Sequence, residues 1–173
     1  MSAEHPIHPR LAPLALAARE TSSTRSTQSA QRLADAMRDT LRERSAWLRP
    51  EHRVGDPTAY MRHLLYTDPG DAFVITVITW LPGQKSPVHG HHVWCAFGVV
   101  EGELTEETFT AAPGQSPALV HTALLRAGEL AAQDFEGKAV HRVSNRSNAP
   151  LVSLHLYGVA SSRLTTGINR VYA

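Results

Sequence analysis

The amino-acid sequence predicts an all-β fold, a small barrel or sandwich preceded by a helical N-terminal segment. Three observations carry this. Short runs rich in Val, Ile and Thr recur from about Tyr60 onward. Gly and Pro turn signals separate them, among them Pro69-Gly70, Pro82-Gly83 and the loop at 113–117. The long stretch with helical spacing, residues 29–47, lies before all of them. Many short strands punctuated in this way argue for a closed or two-layered β-architecture.

Element by element, residues 1–24 are interrupted by Pro6, Pro9 and Pro13 around the apolar patch 11–18, which fits a short packing helix or a loose arm. Arg10, Arg19 and Arg25 among Ser and Thr faintly resemble a transit peptide, and Glu4 and Glu20 argue against one. In 29–47, Leu33, Ala36, Met37, Leu41 and Trp47 form an apolar stripe at helical spacing, and Pro50 stops the helix. Strands are expected at 60–66, 73–81, 93–100, 103–109, 120–126, 130–135, 139–143 and 151–159. The tail from Arg163 should pack across the outside or over the mouth. The expected organisation is an N-terminal arm and helix, 1–50, packed on a barrel, 51–173.

A net charge of +1 carries no electrostatic footprint for nucleic acid, and no apolar run is long enough to span a bilayer. The single cysteine excludes an intramolecular disulfide and suits a reducing compartment, so a cytoplasmic protein is expected, monomeric or weakly homo-oligomeric.

The chemistry concentrates around His89 and His91. Side chains alternate across a strand, so these two imidazoles share a face. His92 falls on the opposite face. His141, far downstream, could complete a three-nitrogen site. Ser153, His155 and Tyr157 alternate with Val152, Leu154 and Leu156; by pattern alone the polar face could point inward or outward.

The spacing of Gly83, His89, His91 and Gly102 fits the first cupin motif, with Cys95 where that motif has Glu; His141 and Asn145 fit the second. The chain thus resembles a cupin, a jelly-roll barrel. More narrowly it resembles the thiol dioxygenases of the cysteine dioxygenase family. Tyr60 with Arg62, His89 with His91, the Glu-to-Cys replacement, and Ser153 with His155 and Tyr157 carry that likeness, which runs from about Tyr60 to Gly158. One departure is Gly90, where the family usually has Asp.

The resemblance implies Fe(2+) held by His89, His91 and His141, with dioxygen oxidising a small thiol to a sulfinic acid. Without a carboxylate ligand, three neutral imidazoles leave the charge of a divalent ion for a substrate thiolate to offset. Tyr157 would stand near substrate or oxygen, oriented by His155 and Ser153, with Arg62 and Tyr60 at the substrate carboxylate. Arg163 and Arg170 are rival anchors. Cysteine is the first expected substrate and 3-mercaptopropionate the second. In mammalian relatives a cysteine at this place is joined to a tyrosine, which would make Cys95–Tyr157 a thioether pair here. Two other readings stay open: a non-catalytic cupin that binds a ligand or metal, and a zinc site that activates water.

Overall fold

The computed structural model describes residues 7–172 except 113, 114, 132, 133, 135 and 137. Three helices lead the chain: α1 (Ala12–Thr24), α2 (Thr27–Arg42) and α3 (Arg44–Trp47). Nine strands follow among the described residues: β1 (Met61–Thr67), β2 (Val74–Trp80), β3 (His89–His91), β4 (Cys95–Glu101), β5 (Glu103–Thr110), β6 (Ala118–Arg126), β7 (Val140–Ser144), β8 (Leu151–Tyr157) and β9 (Asn169–Val171). They form two antiparallel sheets, ordered β1-β2-β8-β4 and β6-β5-β7-β3-β9. This is the double-stranded β-helix of the cupins.

The apolar patch at the N-terminus is a packing helix, α1. Arg25, at φ 46°, turns the chain, and Ser26 and Ser29 cap α2 reciprocally, each hydroxyl accepting the other's backbone N–H at 3.0 Å. Leu33, Met37 and Leu41 lie one turn apart and are fully buried, a contribution of about 1.5–3 kcal/mol each. The predicted single helix over 29–47 starts earlier, at Thr27, and breaks at Glu43. There the chain redirects Trp47 so that its indole N–H donates to the Thr40 carbonyl at 2.8 Å.

The helices cover the outer face of the four-stranded sheet. Leu14, Leu33, Met37 and Leu41 join Ile75, Val77, Ala96, Val152, Leu154 and Leu156 in one apolar cluster. The opposite face of the same strands supplies the barrel interior, with Val74, Ile78, Trp80, Phe97, Val99 and Tyr157. Asp68 fastens α1 to the β1–β2 turn. It is 3% exposed, accepts Arg19 Nε and Nη2 at 2.9 and 2.7 Å, and accepts the Gly70 N–H at 3.0 Å.

The two motif glycines sit in turns at φ 83° and 84°, a conformation that a side chain would strain. Asn145 pins the turn after β7. Its amide donates to the carbonyls of Trp80 and Ala149, and its oxygen accepts from Ser147. The segment predicted as a strand at 130–135 makes isolated bridges, Leu130 to Gly98 and Asp134 to Cys95, and part of it lies outside the described residues. The tail ends as β9, an edge strand beside β3, with Asn169 opposite His91 and Arg170 opposite Gly90.

Candidate metal centre

Two strands bring the histidines together. His89 and His91 lie on β3, and His141 on β7 stands directly opposite His89 in the ladder. All three are buried, and their potential ligand atoms lie within 4.8 Å of one another. Ring centroids are 4.6 to 5.2 Å apart.

The neighbours of these imidazoles decide which nitrogen is bare. His89 Nδ1 is 3.0 Å from the Pro87 carbonyl, which can only accept, so Nδ1 carries the proton and Nε2 is a lone pair. His141 Nδ1 is 2.8 Å from Glu106 Oε1, which leaves its Nε2 buried without a partner. Burial, then the charge His141 would carry, holds His89 at about 4 and His91 at about 3. Both are therefore neutral and free to donate a lone pair near pH 7. A set of three imidazoles in which His91 Nδ1 and His141 Nε2 are buried without partners fits a divalent first-row ion such as iron.

Glu106 is not marked by any spacing in the sequence. A carboxylate behind a ligating histidine fixes its ring and raises its basicity. On β5, Thr108 rather than Glu106 stands opposite His141, so only the side chain's reach along the sheet brings Glu106 to the ring.

One pocket borders the three histidines and also contains Tyr60, Arg62, Cys95, Tyr157 and Asn169. Arg62, on β1, has a buried Nε without a partner and stands with its guanidinium carbon 5.9 Å from the Tyr157 ring centre. Tyr60 packs against Trp80 with centroids 4.3 Å apart and planes tilted by 31°. The β8 polar face points inward. Ser153 Oγ lies 2.8 Å from His155 Nε2, and His155 Nδ1 lies 3.0 Å from the Tyr157 hydroxyl. Burial, then the nearby Arg62 charge, keeps His155 far below its usual value and so neutral. Burial, then Cys95, pushes the Tyr157 phenol up, so it keeps its proton.

Cys95 lies opposite Tyr157 across β4 and β8. It reaches the pocket by a route different from the one expected. Alternation along one strand from His91 does not apply, because the chain leaves β3 at His91 and enters the other sheet at Cys95. Burial, then Asp134 and Glu106, raises its thiol well above the ordinary value, so it is a neutral thiol.

Two rival residues lie elsewhere. Arg163 and Arg170 are exposed, and Arg170 stands over the Tyr172 ring at 5.4 Å. His92, just past the end of β3, is exposed. Asn169, which sequence reasoning missed, lines the pocket with a buried Oδ1 that has no partner. The departure at Gly90 has a steric reason. A Cβ there would lie 3.0 Å from the Ala139 carbonyl oxygen, under Tyr172 and Arg170 of the tail.

Fold and cluster together define a cupin whose three clustered histidines can hold a metal ion. Residues 16–164 match the family cysteine dioxygenase type I, a thiol dioxygenase family, and the chain belongs to it. Among solved structures, a protein of Thermus thermophilus superposes with a TM-score of 0.51 at 22% identity, covering 63% of this chain and 91% of that one. A double-stranded β-helix protein of Klebsiella pneumoniae gives 0.50 at 19% identity, covering 71% and 92%. Both are similar in fold. Among the described residues, no helix is long and apolar enough to cross a membrane.

Proposed function

We propose that the protein is an iron(II)-dependent dioxygenase that oxidises the thiol of a small carboxylate-bearing substrate to a sulfinic acid, with cysteine ahead of 3-mercaptopropionate. The observation that carries this is the shared pocket: three clustered imidazoles, an arginine with a buried, unpartnered Nε–H, and a protonated phenol all border one space. His89, His91 and His141 would hold the iron. Ferrous iron, when bound, acidifies a coordinated thiol and supplies the redox chemistry by which both atoms of dioxygen are added to sulfur.

The protein's own groups do the rest. Arg62 binds the substrate carboxylate with two parallel hydrogen bonds and so fixes the distance from carboxylate to thiol. Tyr60, held against the Trp80 ring, packs beside it. Tyr157 offers a hydrogen-bond donor to the reacting atoms, and Ser153 and His155 hold it there. The test is oxygen uptake by the iron-loaded protein with cysteine, 3-mercaptopropionate and cysteamine. We expect about one dioxygen per sulfinate formed with a carboxylate-bearing thiol. No uptake with any thiol, despite full iron loading, would discard the reading in favour of a binding cupin.

Cys95 and Tyr157 face one another on neighbouring strands, which supports a thioether between them. Its formation replaces the S–H and one ring C–H by a C–S bond, and dioxygen takes up the two hydrogens. Peptide mass spectrometry after many turnovers should show a linked pair lighter by two hydrogens, absent from Cys95→Gly. If the denatured protein still alkylates fully at Cys95 after turnover, no such link forms.

A further inference from the structure

The polar strand β8 has a fourth member that comes from the neighbouring strand. Trp80, on β2, donates its indole N–H to Ser153 Oγ at 2.9 Å. Trp80 is 1% exposed, Ser153 0%, His155 4% and Tyr157 4%, so solvent does not compete for these bonds. The indole is itself held: its ring packs against Tyr60 with centroids 4.3 Å apart and planes tilted by 31°. On the other side of the chain, Phe97 lies parallel to His155 with centroids 5.1 Å apart and an interplanar angle of 7°.

Donor and acceptor bookkeeping then gives the chain a direction. An indole nitrogen can only donate, so the Ser153 oxygen is the acceptor at that contact. Ser153 has one proton and two acceptors in reach, His155 Nε2 at 2.8 Å and the Ile78 carbonyl at 3.4 Å. The shorter contact takes it. His155 is neutral and has a single ring proton, which with Nε2 accepting must sit on Nδ1. Nδ1–H donates to the Tyr157 oxygen at 3.0 Å. The phenol proton is then not used within the relay and is directed at the pocket.

The opposite direction is structurally possible but poorer. Nε2–H would donate to Ser153, and Tyr157 would donate to Nδ1. Ser153 would have to accept from both Trp80 and His155, and its own proton would be left with the carbonyl at 3.4 Å. The Ser153 oxygen has lone pairs for both, but a donor already on it makes its O–H a better donor and the oxygen a poorer acceptor, so the Trp80 contact biases Ser153 toward donating to His155.

We propose that Trp80 is a positioning residue: through Ser153 it fixes the Nδ1–H tautomer of His155 and so turns the Tyr157 hydroxyl hydrogen toward the space bordered by the three histidines. Tyr157 is thereby a donor to an anionic atom in the pocket rather than a donor to His155. The inference deepens the proposed function, but its test needs neither iron nor thiol oxidation.

The test is long-range proton–nitrogen NMR of the full chain carrying 15N-histidine, loaded with zinc to stay diamagnetic. His155 is assigned by the signals lost in His155→Gln. The expected result is Nδ1–H for His155 in the unaltered protein, with the Nε2–H form rising at least severalfold in Trp80→Phe. Ser153→Ala removes the same link with little loss of volume. It should also erode the Nδ1 preference, which keeps the test open if Trp80→Phe does not fold. An Nε2–H tautomer in the unaltered protein overturns the proposal, and so does an unchanged Nδ1–H tautomer in Ser153→Ala. If the tautomer is as expected but no thiol is oxidised, the dioxygenase reading fails and the relay's direction stands.

Discussion

His141→Ala is expected to lose its metal and, with it, thiol oxidation. His141 is the ligand candidate that comes from a different strand, and its bare Nε2 is already buried without a partner. Removing it leaves two imidazoles from β3, which is too few for a facial site. A bound metal ion supplies several kcal/mol of stabilisation to a reaction it takes part in. At about 4 kcal/mol its loss lowers the rate roughly a thousandfold. Elemental analysis of the purified variant should find iron well below that of the unaltered protein, with far-UV circular dichroism unchanged. Glu106→Gln provides the graded companion. It keeps the shape but weakens the acceptor behind His141 Nδ1, and should reduce metal affinity about 10–100-fold. Full iron occupancy in His141→Ala would end the assignment of His141 as a ligand.

How much of this is legible in the sequence depends on whether a residue acts locally. His89 and His91 can be paired because strand alternation is a local rule, and the turn glycines because a positive φ is a local demand. The inward direction of Ser153, His155 and Tyr157 is not decided by alternation. Both faces of β8 are buried, one in the barrel and one beneath the helices, so an aliphatic row marks the helix-covered side rather than the interior. Only the presence of α1 and α2 over that sheet settles which row is which. Cys95 shows the converse error. The sequence suggests one strand running on from His91, whereas the chain changes sheets and arrives at the pocket from the opposite wall. Glu106 and Trp80 escape a sequence reading because each acts through a neighbour on another strand, and Asn169 because only the pairing of β9 with β3 brings it beside His91. No spacing within the chain encodes such a contact. The break at Glu43 is invisible because the helical stripe runs through it, and the Trp47 to Thr40 hydrogen bond that fixes the redirected turn is tertiary in character.

The second large effect is expected at Arg62. Its Nε is buried and unpaired, which is costly unless a ligand completes it. A substrate carboxylate would do so in a bidentate pairing. Hydrogen bonds to charged groups contribute about 1.5–3 kcal/mol each, so one such bond lost corresponds to roughly 10–150-fold in kcat/KM. Arg62→Ala should therefore raise the KM for cysteine by about that factor. The turnover number should fall less, and by more than zero, because the Arg62 guanidinium also stands 5.9 Å from the centre of the Tyr157 ring. Arg62→Lys keeps the charge but not the fork and should lie between. Cysteamine has no carboxylate, so its poor oxidation should be nearly insensitive to Arg62→Ala. Steady-state oxygen uptake with both thiols separates the two contributions. Arg163→Ala and Arg170→Ala are the controls, since both side chains are exposed and away from the pocket; each should leave KM within about twofold. An unchanged KM for cysteine in Arg62→Ala, together with a rise in either control, would move the carboxylate anchor from β1 to the tail.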